Sequence, residues 1–410
     1  MEPRLNDSAP VVIVGGGPAG MVAGLLFARA GVRVTILEKH ADFLRDFRGD
    51  TVHPSTLELF NEIGLLEELL KKPYAAIDTM TLNLLGGQYT IATMKHLPVA
   101  ARFVAMMPQW DLLDFIAGQG RKYPTFDLRM STEATGLTYD ATNRVNGVTL
   151  ASGETLPARL VIAADGRRSV LRDAAELLLE DLGAPMDVLW FRIPVPAGVD
   201  MSEVALGTID KGGMVVAIPR GDYWQCAQIV EKGGFAPIEA RGIEVFRDKI
   251  VEIAPGLAAG IDAIQSFDDV KLLTVALDRL TRWSRPGLLA IGDAAHAMSP
   301  VGGVGINLAV QDAVATANIL AAPLAAGADP DPLLVKVQDR RWTPTIRMQA
   351  IQRFAHQRVI EPMLRGEIAR VPFAVHLLDA IPLLRRIPGR ILGLGFGRQH
   401  VQSPLAKEFS

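Results

Sequence analysis

Gly15, Gly17 and Gly20 are set as G-x-G-x-x-G, and Glu38 follows eighteen positions after the last of them. Gly15 permits a tight turn, Gly17 lets the backbone approach a pyrophosphate, and Gly20 allows close packing of helix on strand. An acidic side chain at position 38 can accept hydrogen bonds from a ribose. The segments that must hold these residues agree with that chemistry. Val11 to Val14 reads as a buried parallel strand, apolar residues at helical spacing run on to Gly31, and Val32 to Leu37 reads as a second strand. A helix opening at Pro18 turns its free amides and the positive end of its dipole toward a phosphate. The pattern points to an adenine dinucleotide, and this element alone does not separate FAD from NAD. The alternative is a glycine-rich turn that holds no ligand.

Further candidates lie along the chain. Arg48, Asp50 and His53 fall in the loop after the second strand, on the side where the pyrophosphate would sit. Arg48 is either a phosphate or flavin-edge contact or a solvated loop arginine. Ser55 with Glu58 predicts a capping box, and Gly64 a helix stop. A helix begins at Pro108, Gln109 and Trp110, and LPARLVIAADG reads as a buried strand ending in Asp165-Gly166. GLLAIGDAAHAMSPVGGVGIN then gives a strand, a glycine-rich loop and the start of a long small-residue helix near Ile306.

The chain has 410 residues, 49% of them apolar, and a net charge of −3. That length suits two domains or one large domain with insertions. There is no basic excess to argue for nucleic acid. Cys226 is the only cysteine, which excludes an internal disulfide framework and a cysteine-based metal cluster, and no metal site is expected. No run has the eighteen or so uninterrupted apolar residues of a membrane span. Ile381 to Phe396, with its arginines and prolines, is expected to pack on its own protein, a membrane or partner contact being the alternative. A soluble, cytoplasmic protein is expected, with a homodimer left open.

The predicted fold class is α/β. It combines a Rossmann-like, mostly parallel nucleotide-binding domain (1–75, 103–182 and 284–330), an inserted β-sheet substrate domain (76–102 and 183–283) and a helical C-terminal region (331–410). Strands of the insert are expected in MTLNLL, QYTIATM, VLWFRIPV, GMVVAIP, YWQCAQIVEK and KLLTVALD, with a helix in GIEVFRDKIVEIAPGL.

Taken together, GGGPAG with Glu38, ADGRRSVLR and GDAAHAMSPVGGVGIN resemble the class A flavoprotein monooxygenases, the para-hydroxybenzoate hydroxylase-like family. The resemblance is strong over roughly residues 10 to 60, 105 to 175 and 270 to 320, and weak over the middle sheet and the C-terminus. It implies that Gly15, Gly17, Pro18, Ala19, Gly20 and Glu38 hold the ADP half of FAD, with Lys39 beside the adenosine. It implies that Asp293 meets a ribityl hydroxyl, and that Gly303, Gly305, Ile306 and Asn307 bring amides to the pyrimidine side of the flavin. Asp165 matches a motif linked to FAD and the nicotinamide cofactor, with a capping turn as the alternative. Gln109 stands where many relatives carry arginine, and Arg220 in a loop from which some send an arginine across the ring. Pro300 aligns with a proline whose carbonyl faces substrate, and His53 and His296 are candidate proton carriers.

The reaction implied is NADH or NADPH reduction of FAD, oxygen addition to a flavin hydroperoxide, and transfer of one oxygen atom to a small aromatic or phenolic substrate. GLGFG at Gly393 to Gly397 reads as a turn, so no second nucleotide-binding unit is expected. The rival functions are a flavin dehydrogenase or reductase without oxygen transfer, and a protein that binds flavin or an aromatic compound without turnover.

Overall fold

The central six-stranded sheet draws its strands from three separated stretches of sequence. In the computed structural model, which describes residues 10–44, 51–195 and 206–407, their order is Ser284–Arg285, Leu288–Ala290, Leu160–Ala163, Val11–Val14, Val34–Leu37 and Phe126–Arg129. All neighbours run parallel except the first pair. Ile13 lies between Ile162 and Ile36, and every residue of the Val11–Val14, Val34–Leu37 and Leu160–Ala163 strands is buried. A strand covered on both faces needs such an unbroken apolar run.

The crossover between the first two strands is the helix Pro18–Arg29, buried from Ala19 through Ala28 because it is sandwiched between the sheet and the helix Gly305–Ala325. With the turn before it, Val301–Ala325 is long and apolar enough to cross a membrane by length and composition, yet 72% of its apolar 18-residue stretch is buried inside the fold, as suits a core helix.

A seven-stranded sheet forms the other layer, in the order Lys271–Leu273, Met186–Pro194, Tyr223–Glu231, Gly213–Pro219, Gly207–Asp210, Thr79–Leu84 and Gly87–Thr93. Its alternation divides two cores. Leu189, Phe191, Trp224 and Cys226 face the helix Ile243–Ile253, whose Phe246, Ile250 and Ile253 are at most 2% exposed. Each such burial stabilises by ~1.5–3 kcal/mol. Trp190, Val216 and Ile218 point the other way, toward Met106 and Leu392. Only the start of KLLTVALD joins this sheet. The chain breaks off at Thr274 and re-enters as Asp278–Leu280, pairing with Leu179–Asp181 in a separate ribbon. At the break the Val275 amide donates to the Asp187 carboxylate at 2.9 Å instead of to a strand carbonyl.

Helices Asp331–Ala355, Phe373–Ala380 and Arg386–Leu394 complete the chain. The last of them packs on the protein's own Gly87–Thr93 strand and Pro54–Glu62 helix, as expected for this apolar segment. GLGFG differs from its reading as a simple turn: Gly393 and Leu394 end the helix, and Gly395 and Gly397 turn the chain with φ of 67° and 56°.

Candidate functional site

Three turns meet at the start of the helix Pro18–Arg29. Gly15 has φ 110° and lies so close to Ala164 and Asp165 that a Cβ would sit 2.2 Å from the Ala164 carbonyl oxygen. A Cβ on Gly20 would sit 2.0 Å from the Gly15 carbonyl oxygen, and one on Gly292 3.0 Å from Cβ of Ala19. At Gly17, by contrast, a Cβ would meet nothing within 4 Å. Two glycines of the motif therefore serve packing, while Gly17 lies on the open side of the turn. No side chain caps this helix, so its first amides are directed outward from the turn. Glu38, 9% exposed, accepts from the Gly16 amide through Oε2 and the His40 amide through Oε1, both at 3.0 Å, which fixes the carboxylate at the end of its strand. Lys39 beside it is exposed. Arg48 and Asp50 lie outside the described residues.

The Asp165-Gly166 turn has the capping geometry. Asp165 accepts from Ser169 Oγ at 2.5 Å and the Leu171 amide at 3.3 Å, at the head of the short helix Val170–Ala174. Burial raises its carboxyl above the usual range against the pull of those donors. Arg167, which carried no assignment in the sequence, binds Asp293 Oδ2 through Nε at 3.1 Å and the Met298 carbonyl through Nη2 at 3.3 Å. It ties the 165–167 turn to the second glycine loop, so Asp293 is half of an ion pair. The one sequence signal was a basic residue directly after the Asp-Gly turn.

The second loop ends in another uncapped helix N-terminus. Gly302 and Gly303 have φ of 79° and 63°, and Gly305–Ala325 starts without a side-chain cap. Its Gly305, Ile306 and Asn307 amides are in the first turn. Asn307, 1% exposed, accepts from Ser55 Oγ at 2.6 Å and Thr56 Oγ1 at 2.9 Å, docking the helix Pro54–Glu62. The expected capping box is therefore absent. That helix starts two residues earlier, its N-cap being His53, Ser55 is spent on Asn307, and Glu58 accepts from the Ala100 amide. Gly64, with φ 74°, follows its end as expected.

The proton-carrier readings do not suit the geometry. His53 is 2% exposed, and its ring lies between the Leu392 carbonyl at 2.8 Å from Nδ1 and the Gly303 carbonyl at 3.0 Å from Nε2. Burial lowers its pKa despite both carbonyls. It clamps the Gly302-Gly303 loop to the helix Arg386–Leu394. His296, 1% exposed, bonds Asp312 through Nε2 at 2.6 Å beneath the Gly292-Asp293 turn. Asp312 also holds Arg341 Nε at 2.7 Å and the Gly292 amide at 3.1 Å. Burial alone would raise the Asp312 carboxyl, but His296 and Arg341 hold it below the usual range. The Pro300 carbonyl accepts the Gly303 amide at 2.9 Å, so it closes its own turn.

Gln109 opens the helix Gln109–Gly120, half-buried. Arg220 approaches the same place from the sheet, donating to the Met106 carbonyl at 2.8 Å and Gln225 Oε1 at 3.4 Å. The residues present fit FAD: there are two uncapped helix N-termini, an open glycine at the first, and an oriented acid at the neighbouring strand end.

Comparison with known proteins agrees. The model of a family described as an FAD binding domain matches residues 8–350. A 6-methylpretetramide 4-monooxygenase of Streptomyces rimosus is 31% identical over 408 residues, covering 97% of this chain and 95% of its own. A dialkyldecalin synthase of Streptomyces rugosporus is 24% identical over 332 residues, covering 79% of this chain and 67% of its own. Among solved structures, Pseudomonas aeruginosa PqsL in complex with 2-aminobenzoylacetate shares the fold at a TM-score of 0.74 and 20% identity, covering 89% of this chain and all of its own. The chain belongs to the FAD-binding-domain family and is an FAD-dependent oxidoreductase of the aromatic-hydroxylase type of monooxygenase.

Proposed function

We propose that this enzyme hydroxylates a small aromatic or phenolic compound, using O2 and NADH or NADPH, in the cytoplasm. The observation that carries the reading is the meeting of the Gly15–Gly20, Asp165-Gly166 and Gly292-Asp293 turns around one uncapped helix N-terminus that is open at Gly17. FAD, when bound, supplies the electron transfer and the oxygen activation.

The chain's own residues bind and orient. The amides of Gly17, Ala19 and Gly20 take the pyrophosphate, Pro18 having none to offer, while Glu38 accepts from the ribose, with Lys39 alongside. Asp293 takes a ribityl hydroxyl while holding Arg167, which sets its direction. The Gly305, Ile306 and Asn307 amides face the pyrimidine side, where a helix N-terminus stabilises negative charge, and Gly303, whose own amide closes the turn on Pro300, brings the loop backbone up to it. Asp165 supports the turn from below. Gln109 is placed to donate to the ring edge. The inner face of the seven-stranded sheet, with Trp190, Val216 and Ile218 packed toward Met106, supplies the apolar wall that excludes water from the reacting ring. The reaction class follows the monooxygenase name of the Streptomyces rimosus relative.

The test is to identify the flavin released from purified protein, then to follow substrate-stimulated NAD(P)H oxidation under isotopically labelled oxygen with mass analysis of the product. One labelled atom per product is expected. Turnover with no label indicates a dehydrogenase. Product formed without NAD(P)H consumption indicates a synthase-type reaction, like that named for the Streptomyces rugosporus relative.

A further inference from the structure

Residues 340–400 carry eleven arginines against Glu361, Glu367 and Asp379, a formal +8 within a chain whose net charge is −3. The rest of the chain is therefore at −11. Such asymmetry points to an anionic partner. Two helices of this region, Phe373–Ala380 and Arg386–Leu394, cover the edge strand Gly87–Thr93 of the large sheet. Asp379 accepts the Thr90 amide at 2.8 Å and the Arg385 carbonyl the Thr93 amide at 3.1 Å, so the edge is satisfied from within.

The sides turned away from that strand are apolar. Phe373 and Ile381 are 79% and 41% exposed and Leu377 lies between them, at four-residue spacing on the side opposite Val375 and Asp379. Leu383 and Ile387, 64% and 60% exposed, continue the patch. Exposed arginines border it at 370, 386 and 390, and among the described residues none of the three has an acidic partner.

We propose that this face seats the enzyme peripherally on an anionic lipid bilayer. Protruding Phe, Leu and Ile side chains enter the boundary between headgroups and acyl chains, and the arginines meet lipid phosphates. A second copy of the chain is a poorer occupant, because two-fold pairing would set each arginine cluster against another. A nucleic acid would use the arginines and leave the aliphatic side chains against water.

The experiment is sedimentation of FAD-loaded protein with vesicles of phosphatidylcholine alone or containing about a third phosphatidylglycerol. Binding is expected only to the anionic vesicles, weakening at least about tenfold between ~0.05 and ~0.5 M salt. The pair Leu383→Asp and Ile387→Asp should lose at least about tenfold in vesicle affinity. Arg370→Gln, Arg386→Gln and Arg390→Gln combined should remove the preference for anionic lipid. Both variants should keep bound flavin, which reports folding. The proposal is overturned if the wild type ignores anionic vesicles at low salt, if it binds both vesicle types equally, or if light scattering shows a dimer that the Leu383→Asp and Ile387→Asp pair dissolves in a protein that does not sediment with lipid.

Discussion

At Gly17 and Gly20 the same kind of substitution has opposite consequences. Gly17 has extended backbone with φ −76° and ψ −179° and open space beyond its Cα, so Gly17→Val should leave the flavin-free protein within ~0.5 kcal/mol of wild type while obstructing pyrophosphate. Gly20→Ala should cost ~1–3 kcal/mol through its clash with the Gly15 carbonyl. Melting with and without FAD separates the two, and a Gly17→Val protein that purifies yellow would refute the placement of the pyrophosphate. At Asp293, alanine removes both the proposed ribityl acceptor and the Arg167 partner, whereas asparagine keeps an acceptor. Asp293→Ala should weaken FAD about tenfold or more and Asp293→Asn only a few-fold, read by flavin fluorescence titration. His53 sets a pH dependence. Its folded pKa lies below the ordinary 6.5, so between those values the unfolded chain binds the extra proton and stability rises with pH. The contribution is complete above 6.5 and lost as pH falls through the folded value. His53→Asn should lose less stability than wild type between about pH 7.5 and 5.5 in urea melts.

Among the elements, the Gly305–Ala325 helix carries the most buried charge, and its neighbour Asp331–Ala355 supplies the counter-charge. Arg341→Met leaves Asp312 with only His296 and the Gly292 amide in a site where Asp312 is inaccessible to water, and should destabilise by ~3–5 kcal/mol. If calorimetry shows the variant melting like wild type, the network does not hold the Gly292-Asp293 turn. The sequence showed little of this. Asp312 and Arg341 are 29 positions apart and each reads as a polar residue on an ordinary helix face. Motifs whose physics is local were legible: the Val11–Val14 strand, the glycine turn and the helix after it need only neighbours in sequence. What depended on distant partners was not. Ser55 looked like a cap until Asn307, 252 positions away, took its hydroxyl, and KLLTVALD looked like one strand until Asp187 took the Val275 amide. The ion pair of Arg167 with Asp293 belongs to the same kind, since neither residue alone shows that it has a mate.

The whole molecule is closed by its C-terminal stretch. The Leu392 carbonyl meets His53, the Gly397 carbonyl accepts from Arg341, Gln311 takes the Gln399 amide, and Ala406 donates to the Arg29 carbonyl at the end of the first helix. These ties join Arg29 and His53 to residues near 400, across the loop proposed to face the flavin. A chain ending near residue 390 should therefore purify with little flavin, and a separately supplied peptide of residues 390–407 should restore part of it. There is a consequence for synthesis too. The glycine turn leaves the ribosome early, but the clamp that holds Gly303 forms only after Leu392 has emerged. A nascent chain would thus remain colourless until Leu392 has emerged and capture its pigment only then.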